Sequence, residues 1–297
     1  MISSRRVGGL LIYLVAACLA LPANVASAAE ADKKDAPAYE VRAERDIPYY
    51  TGPDADKVKH KLDLFLPKGK SDFPVVMFVH GGAWVFGDKD FFGAHEAIGR
   101  MFARHGIGAA VISYRLSPAV KHPEHIKDVA RAFAWLHNNI KTYGGRPDEL
   151  FVCGHSAGGH LVALLATDET YLKAEGLKLD DIKGVMPISG VYLIPDNWFN
   201  EVFGKDPDVR KTASPLKDVH PGCPPFCIIY GDDDFPTCGV LSEKFCNALK
   251  DKDDSAELHE IKNRSHISII TGTAKDDDPC AKVLLDFVKR RVAGAGP

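Results

Sequence analysis

The sequence has 297 residues, of which 45% are hydrophobic and 26% charged, and its formal net charge is −3. This composition is ordinary for a globular protein, and it excludes collagen-like, disordered and multi-span membrane proteins. The weak negative charge gives no indication of a nucleic acid or an anionic membrane surface as a partner.

The N-terminus has the pattern of a secretory signal peptide. Arg5 and Arg6 precede an apolar run over residues 7–21, and Ala26-Ser27-Ala28 supplies the small residues of a cleavage site. We therefore predict cleavage after Ala28 and export to the periplasm or the medium. The run is shorter than the ~20 apolar residues that a spanning helix needs, so no stable membrane span is expected.

Two variants of export are weaker alternatives. Residues 15–18 fit a lipoprotein box that would leave Cys18 lipidated, and Ser4-Arg5-Arg6 is a partial twin-arginine pattern. Removing residues 1–28 takes away two positive charges and lowers the formal net charge from −3 to −5. Residues 29–40 are predicted to be a flexible tether, and residues 41–297 a single domain, since no linker or composition shift divides them.

From about residue 41, strand and helix patterns alternate along the chain. Continuous apolar runs predict strands buried on both faces, and apolar residues at steps of three and four predict helices. This alternation indicates an α/β fold with a mostly parallel sheet and helices on both faces. The predicted strands are 61–66, 74–79, 107–113, 150–153, 182–188, 226–230 and 258–261, and the predicted helices are 125–140, 159–166, 240–249 and 281–292.

The first chemical motif is the pentapeptide Gly-His-Ser-Ala-Gly at residues 154–158, between a predicted buried strand and an apolar helix. A serine in that context lies on a sharp turn that exposes its hydroxyl, and the glycines allow close backbone packing. The N-terminus of the following helix offers free N–H groups to developing negative charge. Ser156 is therefore the predicted nucleophile. The weaker interpretation is that residues 154–158 form only a glycine-rich turn between strand and helix.

The second motif is His-Gly-Gly-Ala-Trp at residues 80–84, directly after a predicted strand. Acyl transfer needs oriented N–H donors for a tetrahedral oxyanion. We assign that role to Gly82 and Ala83, together with Ala157 beside the nucleophile. Trp84 either packs behind this loop or lines an acyl pocket. His155 and His160 flank the serine as pocket wall or packing, and Trp84 and His155 are the candidates for substrate contact.

An acid and then a histidine are expected after the serine in chain order. Residues 232–234 are three consecutive aspartates after a predicted strand. Asp234 is favoured by its spacing from the preceding glycine, with Asp233 as the alternative. His266 follows the next strand and is the predicted base. His259 lies within that strand and is poorly placed.

Metal sites and cofactors are not expected. His122 and His125 form an H-x-x-H pair, but no third ligand joins them at suitable spacing. Cys223 and Cys227 have a poor spacing for zinc and no second pair. Cys153 lies in an apolar run and is read as a core thiol, whereas the other five cysteines after residue 28 could form disulfides in several ways.

Together these residues resemble the α/β-hydrolase superfamily, and more narrowly small secreted esterases of the bacterial feruloyl-esterase-like and kynurenine-formamidase-like type. The resemblance implies an eight-stranded sheet with a minimal cap. It also implies hydrolysis of small ester substrates without a cofactor, through an acyl-enzyme on Ser156. The matching segments are 62–67, 80–84, 113–116, 143–145, 154–159, 213–216, 224–226 and His266.

Some features depart from that pattern. Tyr230 stands where related enzymes often carry histidine, and the segment 189–211 is too short for a large lid. Within it, Trp198, Phe199 and Phe203 are either a cover over the substrate or ordinary core. An amidase or peptidase acting through the same residues remains the alternative function. A non-catalytic binding module is disfavoured, because none of the three triad residues is missing.

Overall fold

Eight strands form one sheet in the computed structural model, which describes residues 39–294, with Phe92 described by its backbone alone. The predicted signal peptide and the tether up to residue 38 lie outside the described residues. The strands are β1 Val41–Pro48, β2 Lys61–Pro67, β3 Phe73–Val79, β4 Gly108–Ile112, β5 Gly145–His155, β6 Ile182–Ile188, β7 Phe226–Asp233 and β8 Ala256–Ser265.

Nine α-helices lie within the described part of the chain. They are α1 Ala94–Arg104, α2 Glu124–Asn139, α3 Ala157–Thr167, α4 Glu169–Ala174, α5 Asn200–Phe203, α6 Pro207–Thr212, α7 Cys238–Lys250, α8 Ser268–Thr273 and α9 Pro279–Val292. Within residues 39–294, none of these helices is long and apolar enough to cross a membrane.

The strands are ordered β1-β2-β4-β3-β5-β6-β7-β8 across the sheet. The pairs β1–β2 and β2–β4 are antiparallel, and all other neighbours are parallel. The predicted α/β-hydrolase fold, with its eight-stranded and mostly parallel sheet, is therefore confirmed. Because the parallel strands all run the same way, the loops that follow them meet at one edge of the sheet.

Helices cover both faces of the sheet, which explains the continuous apolar runs of its central strands. All seven residues of β3 are buried. Along this strand Val75 and Val79 pack on the face covered by α2, α3 and α7, whereas Val76 and Phe78 pack on the face covered by α1 and α9. Two hydrophobic cores, one on each face, thus fix the strand ends that carry the candidate site.

Strand β1, helix α1 and the four short helices α4, α5, α6 and α8 were not predicted from the sequence. Strand β1 lies at an edge of the sheet, and its residues are half-buried or exposed, so charged residues interrupt its apolar pattern. Helix α1 contains Gly99, which allows the ring of Phe65 to approach its backbone, and glycine weakens a helical pattern. Tyr39 donates its N–H to Arg104 O and Glu40 O accepts from Lys68 N, so the folded domain already includes residues 39–40.

Candidate active site

The candidate site lies at the edge where the parallel strands end. Ser156 directly follows β5, Ser189 follows β6, Asp234 follows β7 and His266 follows β8. The N–H of Ser156 donates to Ile188 O at 2.9 Å, which joins the first two of these loops. Residues more than 100 positions apart in sequence therefore come together.

Ser156 lies on a strained turn between β5 and α3. Its backbone has φ 55° and ψ −115°, a conformation that L residues rarely adopt. A Cβ on Gly154 would lie 2.4 Å from Gly158 O, and a Cβ on Gly158 would lie 2.0 Å from Val79 O. Only glycine fits at both positions. The turn ends at Ala157, the first residue of α3, whose N–H group has no acceptor within the helix.

A chain of hydrogen bonds joins the three predicted triad residues. The Ser156 hydroxyl lies 2.9 Å from Nε2 of His266, and Nδ1 of His266 lies 2.8 Å from Oδ1 of Asp234. Because a carboxylate only accepts, Nδ1 carries the proton and Nε2 accepts from the serine. This is the arrangement in which an imidazole can remove a proton from a hydroxyl.

Asp234 is the aspartate that the structure brings to His266. Its side chain is 2% exposed, whereas Asp233 is exposed. Oδ1 also accepts from Phe235 N at 2.7 Å, and Oδ2 accepts from the hydroxyl of Ser189 at 2.5 Å. Burial by itself would raise the pKa of Asp234, but the hydrogen bonds and the charge of the imidazole outweigh it and lower this pKa to about 2.

The loop after β3 packs against Ser156. A Cβ on Gly81 would lie 3.2 Å from Cβ of Ser156. Three consecutive residues then have left-handed backbone, with φ of 106° at Gly82, 50° at Ala83 and 61° at Trp84. Among residues 39–294, the N–H groups of Gly82 and Ala83 have no hydrogen-bond acceptor. The structure thus brings two unused donors close to the serine.

Trp84 lies behind this loop. It is 1% exposed, and its rings contact those of Phe199 and Phe203 at 5.2 and 5.0 Å between centroids. Its Nε1–H donates to Nδ1 of His160 at 3.2 Å, and Nε2–H of His160 donates to Ala213 O at 2.7 Å. Of the two interpretations left open for Trp84, these contacts match packing behind the loop. A side chain so buried offers no surface to a substrate.

His155 is also buried, at 6% exposure. Its Nε2–H donates to the main-chain oxygen of His266 at 2.9 Å. The predicted substrate contact of His155 therefore does not match its position, because the ring faces the protein interior. Burial lowers the pKa of His155 to about 3, with a smaller contribution from the nearby ring of His266, so His155 is neutral at physiological pH.

The comparisons with known proteins agree with this architecture. Residues 62–249 match the family model named BD-FAE. The chain belongs to the BD-FAE family. The sequence is 29% identical over 245 residues to isoprenylcysteine alpha-carbonyl methylesterase ICME of Arabidopsis thaliana. It is 31% identical over 233 residues to esterase LipQ of Mycobacterium tuberculosis. Each match covers 72% of this chain and 55% of the relative, so the chain spans about half the length of these curated relatives.

Solved structures share the fold of this BD-FAE family member. A truncated carbohydrate esterase from gut microbiota superimposes with a TM-score of 0.74 at 21% identity, over 86% of this chain and 98% of that one. Esterase B of Lactobacillus rhamnosis gives a TM-score of 0.75 at 19% identity, over 97% of this chain and 93% of that one. At such identities the likeness shows the fold alone.

The aromatic residues of the segment 191–203, predicted to be either a cover or core, differ in burial. Phe199 and Phe203 pack against Trp84, whereas Trp198 is 53% exposed. The segment is held by Arg210, which is 4% exposed and has no carboxylate within 4.0 Å among the described residues. The guanidinium donates instead to the main-chain oxygens of residues 195, 198 and 204 and to the side-chain oxygen of residue 200.

The histidine pair considered as a metal site has separate environments. Nε2 of His125 lies 3.1 Å from the hydroxyl of Ser117, and the ring of His122 packs 5.5 Å from that of Phe203. Burial lowers the pKa of both histidines to about 4. The ring of His125 is buried, and that of His122 is half-buried.

A different group of possible metal ligands occurs on β7 and β8. The ligand atoms of Cys227, Glu257 and His259 lie within 4.8 Å of one another. Arg290 from α9, however, donates to both carboxylate oxygens of Glu257 at 2.7 and 2.9 Å. The guanidinium of Arg290 already neutralises the carboxylate, so the group is best described as an ion-paired cluster of one buried and two half-buried side chains. The six cysteines from 153 to 280 are all free and buried.

Two residues of the site were missed in the sequence analysis. Ser189 follows a strand that was predicted correctly, so the rule that places polar residues after parallel strands could have found it. Phe235 is 49% exposed and packs its ring 4.4 Å from that of His266; no sequence signal distinguishes it. It borders an open groove of about 310 Å³ beside Asp234, lined by Tyr230, Gly231, Asp232, Pro236, Gly239, Val240, Glu243 and Glu260.

Proposed function

We propose that this protein is a serine carboxylesterase that hydrolyses small ester substrates. The observation that carries the proposal is the hydrogen-bonded chain from Ser156 through His266 to Asp234. The esterase names of its relatives support the reaction class. The proposal needs no cofactor, because a nucleophile, a base and oxyanion donors are sufficient for acyl transfer.

In the first half of the proposed reaction, Oγ of Ser156 attacks the ester carbonyl carbon while its proton passes to Nε2 of His266. Asp234 stabilises the resulting imidazolium through Nδ1. The carbonyl oxygen becomes an oxyanion and accepts from the N–H groups of Gly82, Ala83 and Ala157. Loss of one such donor typically costs about 2.7–4 kcal/mol of transition-state stabilisation.

Collapse of the tetrahedral intermediate breaks the bond to the alcohol oxygen, and Nε2–H of His266 protonates the leaving alkoxide. The acyl group then remains on Ser156 as an ester. In the second half, a water molecule transfers a proton to Nε2 of His266, and the water oxygen attacks the acyl carbon. The carboxylic acid leaves, and the proton returns from His266 to Ser156.

The test compares wild type with Ser156→Ala on a panel of short-chain aryl esters and matched anilides. We expect the wild type to hydrolyse the esters and to react with a fluorophosphonate at Ser156, located by mass spectrometry of peptides. Ser156→Ala should lose both activities, while Ser71→Ala, an exposed serine elsewhere, should keep both. Retained turnover in Ser156→Ala would refute the mechanism, and faster cleavage of the anilides would favour an amidase.

We further propose that the protein is exported and loses residues 1–28. The support is the sequence of the N-terminus alone: two arginines, an apolar run and Ala26-Ser27-Ala28. Removal after Ala28 would leave the folded domain preceded by a short charged segment.

A further inference from the structure

The side chain directly before the nucleophile contacts the main chain of the base. Nε2–H of His155 donates to the carbonyl oxygen of His266 at 2.9 Å. This hydrogen bond joins the end of β5, which carries Ser156, to the loop after β8, which carries His266. It is a main-chain restraint, separate from the two bonds that the imidazole of His266 makes to Ser156 and Asp234.

The ring of His155 has little freedom to move. It is 6% exposed, and its centroid lies 4.8 Å from that of His266. On another side, a Cβ on Gly81 would lie 3.1 Å from Nδ1 of His155. The loop with the unused donors therefore packs against the same ring that holds the base.

We propose that His155 is a positioning residue that fixes the main chain of His266 relative to Ser156. This inference rests on the proposed function. Asp234 fixes the rotation of the imidazole through Nδ1, but it lies on its own loop and does not set the distance between the main chains of residues 156 and 266. His155 sets this distance, because it precedes the nucleophile in the chain and its ring is hydrogen-bonded to the main-chain oxygen of the base.

His155 acts as a donor and not as a second base. Its pKa of about 3, lowered first by burial, means that the ring carries a single N–H throughout the neutral range. That N–H donates its hydrogen bond to the carbonyl oxygen of His266. The ring therefore transfers no proton in the reaction and acts only through the position of its neighbour.

The test compares His155→Gln with His155→Met. The amide nitrogen of glutamine can reach the place of Nε2 and donate, whereas methionine has similar length and no donor. We expect kcat of the methionine variant to fall about 10- to 100-fold with KM changed less than about twofold, since a displaced base slows chemistry more than binding. The glutamine variant should keep at least about a third of kcat. His155→Phe, which preserves ring volume, replaces the methionine variant if the latter does not fold.

Hydrogen exchange of the amides of residues 265–268 gives a readout that does not depend on turnover. We expect faster exchange in the methionine variant than in wild type, and near wild-type exchange in the glutamine variant. Equal losses of kcat in the two variants, or unchanged kcat and exchange in the methionine variant, would overturn the proposal. If wild type hydrolyses no ester, the proposed function fails, and the exchange comparison still decides whether His155 holds this loop.

Discussion

At the scale of single residues, the acid of the proposed triad is distinguished by its contacts and not by its charge. Three consecutive aspartates occur where β7 ends, and the two that lie within the strand, Asp232 and Asp233, are exposed. Asp234 turns inward and accepts hydrogen bonds from His266, Ser189 and the N–H of Phe235. The spacing from Gly231 favours Asp234 over Asp233. Which of these two neighbours faces His266, however, depends on the bulge in the pairing of β7 with β8.

The contrast between neighbours gives a sharp prediction. Asp234→Asn should lower kcat about 10³- to 10⁴-fold, because an amide no longer stabilises the imidazolium and permits the wrong tautomer. Asp233→Asn should change kcat less than about threefold, because the carboxylate of Asp233 is exposed and the imidazole of His266 is hydrogen-bonded to Asp234 instead. Steady-state kinetics on one ester decides between them. The opposite ranking would move the acid to Asp233.

The meeting of Ser156, Asp234 and His266 could be predicted, because each follows a predicted strand in a fixed chain order. The burial of Trp84 and His155 could not be predicted, since it depends on which way a side chain turns from a loop. Ser189 was also missed. Its φ of 51° and its hydrogen bond to Asp234 arise only when β6 and β7 are adjacent.

At the scale of elements, a buried arginine organises the segment between β6 and α6. Asn197 and Phe199 have left-handed backbone there, with φ of 61° and 56°. Nη1 of Arg210 donates to the main-chain oxygens of Pro195 and Trp198 at 2.5 and 2.8 Å. Because the segment has little regular structure, these bonds replace the backbone ladder that a helix or strand would provide.

Arg210→Met should therefore lower the free energy of unfolding by about 3 kcal/mol, since hydrogen bonds to a charged group are lost and carbonyls are left unpaired. Arg210→Lys, which keeps the charge without the planar fork, should fall between wild type and methionine. Denaturant unfolding measures both. Acrylamide quenching of Trp198 fluorescence should rise in the methionine variant, and unchanged stability would contradict the assigned role.

The turn after α6 contains a carboxyl group, that of Asp218, whose surroundings disfavour its ionised form. One oxygen of Asp218 is buried without a hydrogen-bond partner among the described residues. Burial, and then the charge of Asp168, raise the pKa of Asp218 to about 6. The native state thus binds this proton more tightly than the unfolded chain, whose aspartates titrate near 3.9, so ionisation of Asp218 destabilises the fold as pH rises through about 6.

Asp218→Asn removes that charge. We expect the variant to be more stable than wild type by about 1 kcal/mol at pH 8, after allowance for partial solvent screening, and equally stable near pH 4. Thermal unfolding across this pH range is the measurement. Asp286→Asn, at an exposed position of α9, is the matched control and should show no such dependence. A stability difference that does not vary with pH would contradict this assignment.

The central strands, which have continuous apolar patterns, were predicted well, whereas the edge strand β1 and the short helices were not. The prediction of 182–188 coincides with β6, and that of 74–79 lies within β3. Strand β5 begins at Gly145, earlier than predicted, because its first half is polar and lies near the sheet surface. Edge and surface elements are stabilised by contacts across the chain that a local pattern does not contain.

At the scale of the whole molecule, the parallel strands account for the clustering of residues from distant parts of the sequence. β5, β6, β7 and β8 are neighbours and run in the same direction. Any polar residue placed just after one of them enters the same small region. The fold class was predictable from the alternation of strands and helices, and the number of eight strands came from the resemblance to a known superfamily. The order of the strands across the sheet was not predicted from the sequence.

The proposed export makes a prediction about the intact chain. Protein recovered from the periplasm or medium of an expressing cell should begin at Ala29, as measured by intact mass. Replacement of Ala28 by tryptophan should block this processing, because the position before the cleavage site requires a small residue. Retention of residues 1–28 would indicate an uncleaved anchor, and a lipid mass on Cys18 would indicate a lipoprotein.

The burial of every described thiol has a practical consequence. Cys153, Cys223, Cys227, Cys238, Cys246 and Cys280 are between 0 and 7% exposed. A maleimide can reach these thiols only when the native packing opens. The rate of alkylation therefore measures the rate of local and global opening. Because these sulfurs sit on both sides of the sheet, peptide-resolved alkylation would show which layer separates first.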